Sequence, residues 1–286
     1  AGYERHSALN EQAAREFDRP RWDGRAIRGK TLLVYADQGF GDAIQFSRFV
    51  SRLKDKFGCS VVFECPPELM SLFDGQLPVD RVVTEGSPLP DFDFHLPLAS
   101  VPGRLQIEPA TLAGGEPYLA APAGIRPELA HLLHGADPAR LKVGFVWRGN
   151  PRQARNVVRS CRLREIMPLF SLEGTQWFSL QTGEERYEEL VKLAPAHRPT
   201  DVGAELRDFA DTAAAISRLD LVLTVDTATA HLAGAMGRPV WTMLCHTPDW
   251  RWHLDRPDSP WYSTMRLFRQ PVWGDWDGVI DQVGEQ

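Results

Sequence analysis

The chain has 286 residues, 43% hydrophobic and 24% charged, ordinary globular proportions that allow one large domain or two of average size. Its formal net charge of −6 argues against a nucleic-acid or anionic-membrane binder. No apolar run approaches the roughly 20 residues that span a bilayer.

In chain order, "AGYERHSALNEQAAREF" is polar and charged; it is no signal peptide and reads as the end of a helix. With "DRPRWDG" it makes a helical lead-in over 1–29. An N-terminal domain is expected over 30–125. It opens with "TLLVYA" (31–36), a continuous apolar run suited to a parallel strand covered on both faces. Residues 42–57 carry Phe46, Phe49, Val50, Leu53 and Phe57 on one helical stripe, closed by Gly58. "CSVVFEC", "VDRVV" and "FDFHLPL" read as further strands. A Pro/Gly/Ala-rich stretch from about 103 leads to a linker expected at 126–140.

A second alternation fills a C-terminal domain expected at 141–270. "LKVGFVW" (141–147) and "TQWFSLQ" (175–181) read as strands, followed by a charged helix at 184–193. Asp211 is the expected N-cap of the helix "TAAAISRL". "LVLTV" (221–225), a small-residue helix (228–236) and "PVWTML" (239–244) follow, and 271–286 reads as a terminal helix. Strands alternating with helices imply parallel sheets of Rossmann type, twice over. The four cysteines (Cys59, Cys65, Cys161, Cys245) lack Cys-x-x-Cys spacing, and reduced thiols in a cytoplasmic protein are expected.

Ligands in such sheets sit beyond the carboxyl ends of the strands. Two corners qualify. In "YADQGFGDAIQF", Gly39 and Gly41 permit tight turning, and Asp42 stands at the helix start as an N-cap or a base. In "LTVDTATAHLAGAMGRPV", Asp226 and Thr227 precede a helix whose amides and dipole make either a plain cap or an anion site. His231 reads alone as a satisfied, half-buried histidine. "VWRGNPRQARNVVRSCRL" sets Arg148, Arg152, Arg155, Arg159 and Arg162 after a strand, as a solvated loop or a phosphate-binding one.

Taken in order, "DQGFGDAIQFSRF", "VGFVWRGNP", "FSLQTG", "LRDFADTAAAISRLDLVLTVDTATAHLAGAMGRPVW" and "PDWRWHLDRPDSPWYSTMRLFRQP" resemble the glycosyltransferase region of bacterial tetratricopeptide-repeat proteins. That region is related to the heptosyltransferases of glycosyltransferase family 9, and the resemblance covers roughly residues 15–283. "GYERH" resembles the last helix of such a repeat region, which would lie N-terminal to this chain. The resemblance implies a GT-B α/β fold: two Rossmann-like domains with parallel sheets facing each other across a cleft. The nucleotide-sugar donor would sit on the C-terminal domain and the acceptor on the N-terminal side.

Asp42 matches the family's catalytic aspartate, in an acceptor-side loop with Gln38, Gly39, Gly41 and Gln45. Asp226, Thr227, Ala228 and His231 match its donor-phosphate motif, joined on the donor side by Arg148, Asn150 and Gln181. The family's basic residue corresponds to Arg159 or Arg152. Asp37 stands where glutamate is more usual and is a second candidate for the base. The implied chemistry is inverting transfer to a hydroxyl, with no metal and no cofactor beyond the nucleotide sugar. "DFD" (91–93) and "DWD" (275–277) match a D-x-D metal motif only formally, one in a strand-like run and one opening a helix. The segment 248–262, rich in Trp and Arg, either stacks on the nucleotide base or packs between domains. The implied acceptor is a protein, such as flagellin or another surface protein; alternatives are a lipopolysaccharide-type saccharide acceptor, or a binding or scaffold module without catalysis. An RNA-binding role for the arginine loop fits the net charge poorly.

Overall fold

The computed structural model describes residues 15–108, 115–134, 137–153, 155–195 and 198–286, so the expected helix at the chain's start lies outside the described residues. The chain divides into two units, Ala1–Leu112 and Ala113–Gln286.

The first unit runs β1 (Thr31–Tyr35), α1 (Phe40–Ser47), α2 (Val50–Phe57), β2 (Ser60–Cys65), α3 (Pro67–Phe73), β3 (Arg81–Thr84), β4 (Phe94–Pro97) and α4 (Val101–Leu105). Its strands pair in parallel in the order β3-β2-β1-β4. Leu32, Leu33 and Val34 of β1 are all fully buried, as a strand covered on both faces requires. The stripe expected as one helix is two. The Ser47 hydroxyl donates to the Ile44 carbonyl (2.8 Å), and the Phe49 amide takes Phe46 three residues back, tightening the turn between α1 and α2. Gly58 ends α2 at φ 61°, the left-handed cap expected of it. The lead-in is docked: Trp22 is 1% exposed and its amide donates to the His95 carbonyl of β4.

The second unit runs α5 (Pro127–His134), β5 (Leu141–Val146), α6 (Asn156–Arg159), α7 (Leu163–Ile166), β6 (Thr175–Ser179), α8 (Glu185–Leu190), β7 (Thr200–Asp201), α9 (Phe209–Ile216), β8 (Leu221–Val225), α10 (Ala228–Ala235), β9 (Val240–Leu244), β10 (Met265–Arg269) and α11 (Trp276–Gly284). Its parallel strands run β10-β9-β8-β5-β6-β7. The stretch 126–140, expected as a linker, contains α5. Arg126 just before it forks onto Asp211 of α9 with three hydrogen bonds of 2.9 to 3.1 Å. Asp211 is therefore not the cap. Asp208 caps α9 by accepting the Asp211 amide (2.8 Å), one turn earlier than the sequence suggests.

An aspartate immediately before a strand recurs as a fastener. Asp80, Asp93 and Asp220 precede β3, β4 and β8 and accept the amides of Val61, Thr31 and Lys142 at the starts of the neighbouring β2, β1 and β5, at 2.7 to 2.8 Å. One of the formal D-x-D motifs is thus absorbed by the sheet. The other is absorbed by α11, which Asp275 caps through the Gly278 amide (2.9 Å).

Candidate functional site

Each sheet reverses its strand order beside its first strand, between β1 and β4 and between β5 and β8. Those are the positions where doubly wound sheets open for a ligand.

In the first unit, β1 leads through Ala36–Gly39 into α1. Gly39 is the N-cap with extended backbone (φ −67°), and neither Gly39 nor Gly41 has positive φ. Asp42 is the third helical residue, half-buried, where a carboxylate is favoured by the first-turn amides. Asp37 is held by the Ala99 amide (3.2 Å) and by Gln38, whose side-chain N–H donates to it (3.3 Å). Burial pushes the Asp37 carboxyl up, against those two hydrogen bonds, and nearby Asp42 adds to the rise. Gln45, expected on the acceptor side, is fully buried on α1.

In the second unit, Asp226 follows β8 directly. Burial pushes its carboxyl up, Arg251 and Arg159 pull it down, and Asp249 pushes it up again. Thr227 is the N-cap of α10, but its hydroxyl pairs with Thr224 (2.8 Å) instead of capping. Ala228 begins the helix, whose first amides lack intrahelical partners.

The arginine loop separates into roles. Arg148 pairs with Glu185 and with Glu189 (2.8 Å) on α8. Gln181 accepts the amides of Trp147 and Arg148 (3.3 and 3.0 Å) and so holds the loop's backbone. Asn150 closes a turn on the amide of exposed Arg152 (2.9 Å). Arg155 donates to the Thr247 carbonyl (2.6 Å). Arg159 is the one whose charge reaches Asp226, and it lies so close to Gly149 that a Cβ there would meet its Nη2 at 2.8 Å. Of Arg159 and Arg152, Arg159 is the one that acts on the Asp226 carboxyl.

His231 is a satisfied histidine, more deeply buried than expected. It is 2% exposed, with Nδ1 on the Tyr262 hydroxyl (2.9 Å), Nε2 3.4 Å from Arg251 Nη1, and its ring stacked on Trp252 (5.2 Å, 28°). Both ring nitrogens face inward, because α10 lies against the segment 249–262. Within that segment Trp252, Trp261 and Tyr262 are core, whereas Trp250 stays 41% exposed. Arg251 was not singled out in the sequence; its 8% exposure and its ion pair with Asp249 (2.9 Å) make it a principal charge of this corner. The run of small residues on α10 was the available signal, since Gly234 leaves room for the Tyr262 ring, 2.4 Å from where its Cβ would stand. Among the described residues no three His, Cys, Asp or Glu side chains gather as a metal site, and no helix is long and apolar enough to cross a membrane.

Residues 176–271, from β6 through β10, match glycosyltransferase family 9 (heptosyltransferase). The chain is 25% identical over 303 aligned positions to the protein FlbA of Caulobacter vibrioides, covering 96% of this chain and 49% of FlbA. It thus spans about half the length of that curated relative. By fold it is similar to a glycosyl transferase family 9 protein of Veillonella parvula (TM-score 0.59, 12% identity, 86% of this chain and 87% of that one). It is also similar to the ADP-heptose lipopolysaccharide heptosyltransferase II of E. coli (TM-score 0.56, 13% identity, 89% and 98%). The chain therefore has the α/β fold of GT-B glycosyltransferases, with a parallel sheet in each unit, and its residues 176–271 are similar to glycosyltransferase family 9 (heptosyltransferase).

Proposed function

We propose that this protein transfers a sugar from a nucleotide-sugar donor to an acceptor hydroxyl. The observation that carries the reading is the family 9 match over 176–271, which contains Asp226, the start of α10 and Arg251. A helix start flanked by Arg159 and Arg251 suits a diphosphate, whose charge grows as the sugar departs. An adenosine diphosphate sugar is the first donor to try, given the similarity to an ADP-heptose enzyme.

In the reaction the acceptor oxygen forms a bond to the anomeric carbon. The bond from that carbon to the phosphate oxygen breaks, and its electron pair stays on the departing diphosphate. Asp42 takes the hydroxyl proton, giving inversion when attack comes from the face opposite the leaving group. The scheme uses no cofactor and no metal. The acceptor in this reading is a protein hydroxyl presented in the cytoplasm, and it rests on the resemblance to repeat-linked transferases. The test is release of ADP from ADP-heptose, with UDP-sugars in parallel, with and without a candidate protein acceptor or a lipopolysaccharide-type saccharide. Acceptor-dependent release, lost in Asp226→Ala, supports transfer; nucleotide binding with no release under any pairing points to a binding module.

A further inference from the structure

His231 carries the motif's histidine, but its surroundings are those of a support. It is 2% exposed, clamped between Tyr262, Trp252 and Arg251. A guanidinium can only donate, so the 3.4 Å contact with Arg251 makes Nε2 the acceptor and leaves the ring proton on Nδ1, donated to Tyr262. Arg251 is fixed by two further partners. Its Nε donates to Asp249 (2.9 Å), its amide to the same carboxylate (3.1 Å), and its carbonyl accepts the Trp261 indole (3.1 Å). Through His231 the fork thus held stands against α10, whose start follows Asp226 at the carboxyl end of β8.

We propose that Arg251 grips the phosphates of the donor and that His231 is its positioning residue rather than a phosphate ligand. This rests on the donor-site reading above and deepens it. Tyr262 is the third member: by accepting the Nδ1 proton it leaves Nε2 as the acceptor for Arg251. Gly234 belongs to the same device, since its missing side chain lets the Tyr262 ring reach His231.

The test is calorimetric binding of ADP, with UDP and GDP in parallel, to the whole chain and its variants. Arg251→Ala is expected to weaken the best-binding nucleotide about tenfold or more. Arg251→Lys, which keeps the charge but loses the fork, should also weaken it and serves if Arg251→Ala does not fold. His231→Leu should weaken binding comparably in the native chain and add nothing once Arg251 is alanine, the signature of one residue acting through another. His231→Gln, whose amide oxygen reaches the place of Nε2, should restore most of the affinity. Tyr262→Phe should weaken binding mildly and only when Arg251 is present. The proposal is overturned if His231→Leu costs as much without Arg251 as with it, or if Arg251→Ala and Arg251→Lys both bind like the native chain. If none of the three nucleotides binds the native chain, the donor-site reading itself falls and takes this proposal with it.

Discussion

At the scale of single residues, the two acids proposed to act behave differently. Asp42 sits half-buried on the first turn of α1, and Asp42→Asn keeps its shape while removing the base. Transfer should fall by about a hundredfold or more with nucleotide affinity unchanged; an active Asp42→Asn would shift the role to Asp37. Asp226 is held at a cost. Its carboxyl is raised chiefly by burial, so between the unfolded and folded values the native state binds the extra proton, and stability falls as pH rises through that window. Asp226→Asn should therefore melt no lower than the native chain at pH 7, while binding nucleotide less well. That advantage should shrink as the pH drops below the ordinary carboxylate value. A marked loss of stability at neutral pH would mean that Arg159 and Arg251 depend on its charge more than burial opposes it. Gly234→Ala sets a methyl carbon 2.4 Å from the Tyr262 ring, an overlap that should cost about 1–3 kcal/mol in a urea titration.

At the scale of elements, the strands with long apolar runs were legible because burial on both faces writes itself into sequence. "TLLVYA", "SVVFE" and "LVLTV" each became a strand at the expected place. β7, two residues long, and β10, "MRLFR", were not anticipated. The first is too short to carry a pattern, and the second, at the sheet's edge, mixes charged and apolar residues without a strict alternation. The cap of α9 was misread because Asp208 and Asp211 both suit a cap; only the distant Arg126 decides between them. Partnerships of this kind, Arg126 with Asp211 or His231 with Arg251 and Tyr262, join residues about 20 to 85 positions apart, and no local pattern names the partner. Disrupting the fork by Arg126→Ala and Asp211→Ala should show a coupling of about 1–2 kcal/mol in a double-mutant cycle. The aspartate fasteners give a pH-dependence of opposite sign to Asp226. Asp93 is lowered by the Thr31 amide and Lys30, and Asp80 is lowered by the Val61 amide and Lys54 in spite of burial. Their stabilisation is present above the unfolded value of 3.8 and is lost as pH falls through the lower folded values. Paired Asp80→Asn and Asp93→Asn should flatten the acid limb of the stability curve below about pH 4, and an unchanged limb would remove them from that role.

At the scale of the whole molecule, two units carry their own sheets and their own switch points, and only the second contains the proposed donor residues. That division has a consequence for the thiols. All four cysteines are buried and free, Cys59 and Cys65 in the first unit, Cys161 and Cys245 in the second. Burial pushes Cys65 up to about 12 and Cys161 well above the ordinary thiol range, so neither offers the reactive thiolate until its surroundings open. The chain therefore holds a pair of chemical clocks in each half. Under pulsed alkylation with mass readout, saturating nucleotide should slow modification of Cys161 and Cys245 while that of Cys59 and Cys65 keeps its pace, so the rate at which each half breathes can be timed without attaching any probe.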